Sequence, residues 1–178
     1  MKVGLIVGSL RKESWNRKVA EVVKDLFPKN IEVDFIEINN LAIYNEDLEL
    51  DEPDTYRKFR EEIKNHDAFI FFTPEYNRSY SAAIKNALDI GSKSKEGNLW
   101  SNKVAGVMSA STGGFGGMAA NHALRQVFVF LNLIPLQQPE VYLSKVHTLF
   151  VDGEMNKGTK EFLQTAVDAF LAQAEKLI

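Results

Sequence analysis

The sequence predicts an α/β fold, a doubly wound sheet of five parallel strands with helices on both faces, and three observations carry that prediction. Short continuous apolar runs recur at Val3–Val7, Ala68–Phe72 and Val104–Met108, the pattern of strands buried on both faces. Segments with helical spacing lie between them, so strand and helix alternate about five times, and right-handed crossovers put helices on either side. Finally, 178 residues with 45% hydrophobic content suffice for one substantial core and not for two, so residues 1–178 read as a single domain.

Each element has its own signal. The first strand, Val3–Val7, leads into a helix with Val19, Val22, Val23, Leu26 and Phe27 on one stripe. Ile31–Ile38 instead alternates apolar residues with Glu and Asp, which suits a less buried strand near an edge. Tyr56, Phe59 and Ile63 mark the next helix, Ala68–Phe72 the third strand and Val104–Met108 the fourth. Ala120, Leu124, Val127, Phe128 and Leu131 form another apolar stripe. A fifth strand is expected within Ile134–Leu143, interrupted by Pro135 and Pro139, and a last helix turns Leu163, Ala166, Val167, Phe170, Ala174 and Leu177 inward.

Composition removes several kinds of chemistry. With no cysteine, disulfides, thiolate metal sites and cysteine nucleophiles are excluded. A net charge of −3, with Lys and Arg dispersed among Asp and Glu, leaves no basic stripe to track a nucleic acid. The start MKVGLIVG runs straight into a strand, and no stretch of 18 apolar residues occurs, so a cytoplasmic protein without a membrane segment is expected. His66, His122 and His147 are scattered without ligand spacing, and no metal site is expected.

Sheets of this kind bind ligands beyond the carboxyl ends of their strands, where strand order reverses, so the loops after strands one, three and four should converge. The first, GSLRKESWN at 8–16, lacks both the G-x-G-x-x-G turn and a terminal Gly-Lys-Ser/Thr. It offers neutral donors at Ser9, Ser14 and Asn16, a guanidinium at Arg11 and the N–H groups of the helix starting near Ser14–Asn16, a set suited to a phosphate monoester. The plainer reading is that Ser14 only caps that helix and Arg11 is solvated. After the third strand, Pro74 stiffens the exit, and Tyr76 and Asn77 present an aromatic face and an amide. After the fourth, the four glycines of SASTGGFGG let backbone N–H groups approach a ligand.

On GSLRKESWNRK at 8–18, TPEYNRSYSAAIKNALD at 73–89 and SASTGGFGG at 109–117, the chain resembles the NAD(P)H-dependent FMN reductase family of the flavodoxin-like superfamily, which includes quinone, azo-dye and chromate reductases. The resemblance implies strand order 2-1-3-4-5 and an FMN whose phosphate is held by Ser9, Arg11, Ser14 and Asn16. Pro74, Glu75, Tyr76 and Asn77 would border the isoalloxazine ring, with Ser111, Gly113, Gly114 and Gly116 along its other edge. It also implies NADPH or NADH as co-substrate, small-molecule electron acceptors and a homodimer or homotetramer. No side chain would act as a catalytic nucleophile, since the flavin carries the chemistry. Glu75 is expected in a structural or ring-edge role, and the Gly113–Gly117 amides, with a helix dipole behind them, are expected to stabilise charge on the reduced ring.

Two positions depart from the family pattern: Ser81 replaces the usual proline, predicting a looser loop, and Ile90 replaces the usual tryptophan, predicting an altered contact surface. Arg11, Arg17 and Arg78 are equal candidates for a nucleotide 2′-phosphate. The segment 39–54 is long for a connection without structure of its own and is read as closing over a neighbouring subunit's site or as a solvated acidic loop. The rival functional readings are an FMN-binding electron carrier or flavin sensor that does not oxidise NAD(P)H, and an interaction module without ligand.

Overall fold

In the computed structural model, which describes residues 1–177, the strands β1 (Lys2–Val7), β2 (Glu32–Phe35), β3 (Ala68–Thr73), β4 (Val104–Ala110), β5 (Ile134–Pro135) and β6 (Val141–Leu143) form one parallel sheet. The order is β2-β1-β3-β4-β5, with β6 also paired to β4. The expected fifth strand is therefore present in two pieces. β5 follows the start of β4 (Val104↔Ile134) and β6 its carboxyl end (Ala110↔Leu143), while Pro139 between them cannot donate to a ladder. The helices are α1 (Trp15–Asp25), α2 (Asp54–Asn65), α3 (Ala82–Ser92), α4 (Met118–Phe130) and α5 (Lys157–Leu177). A small antiparallel hairpin, β7 (Phe150–Val151) with β8 (Glu154–Met155), stands apart from the sheet.

The period-two geometry of the strands divides the core into two layers. Val3, Leu5, Val7, Ile70, Phe72, Val104 and Met108 pack with Val19, Val23, Leu163, Val167 and Phe170 of α1 and α5. Ile6, Phe69, Phe71, Ala105 and Val107 pack on the other face with Tyr56, Phe59, Ile63, Ile84, Leu88, Leu124 and Phe128 of α2, α3 and α4. Because β1, β3 and β4 run parallel, their carboxyl ends all emerge along one rim. β2 lies at the sheet edge, as its alternating sequence requires.

α3 is the element that helical spacing did not single out. Its sequence, AAIKNALDIGS, buries Ile84, Ala87, Leu88, Ile90 and Gly91, so its apolar residues do not form one narrow stripe. The Ser81 hydroxyl accepts the Ile84 N–H at 3.3 Å, so serine serves as the N-cap where proline is usual. Ile90 is fully buried and its carbonyl accepts from Arg60 at 3.0 Å; it changes the core and not an exposed surface.

The segment 39–54 is neither extended nor merely solvated. A short 3₁₀ turn spans Glu46–Glu49, the Tyr44 ring stacks on Tyr56, and the Asn86 amide donates to the Ala42 carbonyl and accepts the Tyr44 N–H. Glu49 and Glu52 pair with the buried Arg60 at 2.6 and 2.5 Å. The segment is thus strapped to α2 and α3 of its own chain.

A Cβ on Gly91 would stand 2.4 Å from Nε1 of Trp100 and 2.6 Å from the Ile63 side chain. Trp100 is fully buried, with its indole N–H on the Leu88 carbonyl, so its rigid ring has nowhere to go. Overpacking of about 1–3 kcal/mol exceeds the ~1 kcal/mol that alanine adds to a helix. Gly91→Ala is expected to lower the melting temperature; an unchanged or raised Tm by calorimetry would contradict this packing.

Candidate functional site

The rim at the carboxyl ends of β1, β3 and β4 holds a cleft of ≈ 140 Å³ lined by Ser9, Arg11, Ser14, Trp15, Asn16, Pro74, Glu75, Tyr76, Ala110, Ser111 and Thr112. Eight of the twelve residues singled out from the sequence therefore meet in one place. The other four stand apart from it. Asn77 is at a turn tip; Gly113 and Gly114 are exposed on the glycine loop, and Gly116 is buried beneath it. Trp15, Ala110 and Thr112 were not singled out, although each lies in or directly beside a motif that was.

The floor of the cleft is the amino end of α1. Ser14 is its N-cap: the hydroxyl oxygen accepts the Arg17 N–H at 3.2 Å. The capping reading of Ser14 thus holds, and its O–H remains free to donate toward the cleft. The N–H groups of Trp15 and Asn16 precede the first intrahelical bond and have no partner among the described residues, which leaves the positive helix end open to an anion.

The Asn16 side chain is already engaged. Its Oδ1 accepts the Ala110 N–H at 3.2 Å and its Nδ2 donates to the Ala110 carbonyl at 3.1 Å, all buried. This two-bond clip ties the first turn of α1 to the end of β4 across 94 residues of sequence. One N–H of the amide is left over.

The loop after β3 is a tight hairpin. Tyr76 and Ser79 exchange two backbone hydrogen bonds, 2.9 and 3.0 Å, around Asn77 and Arg78, whose φ values of 51° and 66° are left-handed. The Arg78 guanidinium lies 5.9 Å from the centroid of the exposed Phe115 ring at the glycine-loop tip. Burial pushes the Tyr80 phenol up, and burial followed by Glu140 pushes that of Tyr142 up to about 12. Both are therefore neutral hydroxyls beside these loops.

The glycine loop is anchored from below. Ser111 N–H donates to the Leu143 carbonyl, and the Ser111 and Gly113 carbonyls accept from Val146 and Lys145. Gly116, at φ 59°, sits where a Cβ would come within 2.7 Å of the Tyr142 backbone. The Gly113 N–H is taken by Ser111 Oγ at 3.1 Å, whereas that of Gly114 has no partner among the described residues. One of the four glycine N–H groups is thus spent within the loop itself.

Glu75 has a clear structural role. Its Oε2 accepts the N–H groups of Ala119 at 3.0 Å and Ala120 at 3.3 Å, the first turn of α4. The N-cap position of α4 is Gly117, left-handed at φ 80° and without a side chain to cap with. A carboxylate from another loop thus supplies the missing cap, and it answers the helix dipole that was expected to serve a ligand.

The three candidate arginines separate. Arg17 donates to Glu37 at 2.8 Å and Glu21 at 3.3 Å, with its guanidinium 3.7 Å over Phe35. Arg11 and Arg78 have no ion pair among the described residues. A larger groove of ≈ 550 Å³ lies between α1, the β7–β8 hairpin and α5, but its lysines, Lys18 and Lys160, are paired with Glu13 and Glu154. Its donors are spent, so the smaller cleft is the better anion site. No group of three or more His, Cys, Asp or Glu residues that could hold a metal ion occurs among the described residues.

Comparison with known proteins shows the family to which the chain is related. Residues 1–148 match the family described as NADPH-dependent FMN reductase. A quinone reductase of Pseudomonas putida is 48% identical over 170 residues, covering 94% of this chain and 91% of that protein. An NAD(P)H-dependent FMN reductase of Pseudomonas aeruginosa is 39% identical over 180 residues, covering 99% and 97%. The solved structure of a flavoenzyme NAD(P)H:(acceptor) oxidoreductase from Paracoccus denitrificans superposes with a TM-score of 0.91 at 35% identity, covering 99% and 98% of the two chains.

Asn16→Ala would leave the buried N–H and carbonyl of Ala110 without partners. At about 1–3 kcal/mol for each unpaired buried group, less what water in the adjoining cleft restores, a loss near 2 kcal/mol is expected in urea denaturation. Wild-type stability in this variant would show that the clip is dispensable.

Proposed function

This chain belongs to the NADPH-dependent FMN reductase family, and from that premise we propose that the cleft at the amino end of α1 receives the FMN phosphate. The chain is an FMN-dependent NAD(P)H oxidoreductase of the quinone reductase kind. The observation that carries the proposed site is the convergence of the loops after β1, β3 and β4 on one anion-ready cleft.

The residues fit the group. Ser9, the free Ser14 O–H, Arg11, the unpartnered N–H groups of Trp15 and Asn16, and the spare amide hydrogen of Asn16 form a donor set for phosphate oxygens. The cleft accommodates a phosphate and the start of its chain, not a tricyclic ring. The ring therefore belongs outside it, bordered by Pro74–Asn77 on one side and the Ser111–Gly116 loop on the other. When bound, FMN supplies the chemistry, taking hydride from the nicotinamide and delivering two electrons to a quinone or similar acceptor.

The protein's own part is position and electrostatics. Pro74, buried at the end of β3, sets the exit of the hairpin, and Tyr76 offers an exposed aromatic face. The Gly114 N–H, without a partner among the described residues and exposed, is one backbone donor available to the ring. With Arg11 assigned to the FMN phosphate and Arg17 committed to Glu21 and Glu37, Arg78 is the candidate left for a nicotinamide nucleotide's 2′-phosphate.

We also propose that the described chain works as one unit within a homodimer or homotetramer. Val129 and Phe130, 75% and 87% exposed at the end of α4, and Ile43 and Leu50, 84% and 90% exposed on the strap, are apolar surface that a second copy would cover. A reductase that draws on reduced nicotinamide works where that pool is replenished, and the cytoplasm is the proposed compartment. No observation favours the electron-carrier reading over the reductase.

Anaerobic mixing of FMN-loaded protein with NADH and with NADPH, followed by a quinone, tests cofactor, donor and turnover together. Bleaching of the flavin absorbance by a nicotinamide and its return with quinone are expected; an FMN-loaded protein that neither nicotinamide bleaches would contradict the reading. Gly114→Val tests the ring contact. A Cβ there meets nothing within 4 Å, so the variant should keep the stability of the FMN-free protein while binding FMN at least tenfold more weakly. Unchanged affinity by fluorescence titration would remove Gly114 from the site.

A further inference from the structure

We propose that Glu75 holds the reduction potential of the flavin down by cancelling the positive end of α4 at the mouth of the cofactor cleft. The inference rests on the FMN reading above and concerns what this one carboxylate does to it. Glu75 is unusual in belonging to two structures at once. It lines the cleft with Ser9, Arg11 and Tyr76, and its Oε2 receives the Ala119 and Ala120 N–H groups at 3.0 and 3.3 Å.

The reason for the second role lies in the glycine loop. Gly117 occupies the N-cap of α4 in a left-handed conformation, and a Cβ there would lie 2.9 Å from Cβ of Ser109. The chain therefore cannot place a serine or aspartate at that cap without moving β4. Without Glu75, the first turn of α4 would present unpaired N–H groups and about half a positive charge to the rim. With Glu75, the same place carries a net negative charge.

That sign matters for the reaction. Hydride transfer moves two electrons and one proton from the nicotinamide, which departs oxidised, onto the ring, and so adds one negative charge to it. A bare helix end would favour this charge; a carboxylate held in place by two N–H bonds opposes it. Glu75 thus weakens binding of the reduced cofactor relative to the oxidised one. Thermodynamic linkage makes that ratio the potential itself: each tenfold change corresponds to about 30 mV for a two-electron couple. A lower potential makes the reduced protein the stronger donor to an acceptor, at some cost to the ease of its own reduction. Glu75 is in this sense a positioning and tuning residue, and it exchanges no proton with the substrate.

The test is the midpoint potential of bound FMN, measured by spectroelectrochemical titration, with FMN affinity and the Tm of the FMN-free protein recorded alongside. Glu75→Gln keeps an acceptor for the α4 cap and removes the charge. It should raise the potential by about 30 mV or more, a tenfold gain in relative affinity for the reduced form. Glu75→Asp keeps the charge and should stay closer to wild type than the glutamine variant. Met118→Lys, at the exposed first residue of α4, adds a positive charge while leaving Glu75 in place; it should also raise the potential, and it serves if the glutamine variant does not fold.

Potentials that stay at the wild-type value in the folded variants, even with altered Tm, would reduce Glu75 to a structural cap and overturn the inference while leaving the FMN reading intact. A wild-type protein that takes up no FMN would overturn both.

Discussion

Three parallel strands covered on both faces, β1, β3 and β4, govern where every polar group of this molecule stands. Their side chains are almost wholly apolar and enclosed, so hydrogen-bonding chemistry is expelled to their ends. Because the strands run the same way, the ends fall on one rim, and β1 is the place where the chain's path turns from β2 toward β3. The cleft is a consequence of that topology before it is a consequence of any single residue.

The polar residues gathered at the rim divide their labour. Some hold the rim together: Asn16 on Ala110, Ser111 with the segment after β6, Glu75 on α4. Others remain available: Ser9, Arg11, the O–H of Ser14, the first N–H groups of α1 and the N–H of Gly114. The first group makes the second useful, since donors aim at a ligand only when the backbone carrying them is fixed. The clip between α1 and β4 in particular keeps the loop after β1 and the glycine loop at a set separation.

Much of this was legible in the sequence, for definite reasons. Buried parallel strands leave uninterrupted apolar runs, and α1, α2, α4 and α5 each leave a stripe, so these elements could be read directly. Ser14 followed by a helical pattern is readable as a cap because the Arg17 N–H it accepts is only three residues away. α3 was harder, since its many small and apolar residues bury more than one face. The split of the last strand was signalled by Pro135 and Pro139, but which parts of β4 each piece would follow was not.

The working roles of Asn16 and Glu75 were out of reach. Their partners lie 94 and 44 or 45 residues away and are backbone groups, which a sequence does not distinguish from one another. The same holds for Arg17, which reads like Arg11 and Arg78 until Glu37 and Phe35 arrive beside it.

The turn at Asn77 and Arg78 carries a last implication. Left-handed backbone at a residue with a long side chain is locally unfavourable by roughly 1–2 kcal/mol, and a glycine at position 78 would relieve it at once. Asparagine tolerates such geometry; arginine has no intrinsic reason to be there. The strained backbone holds a positive charge outward beside the Phe115 ring, so a smaller residue here would trade that charge for a more relaxed turn.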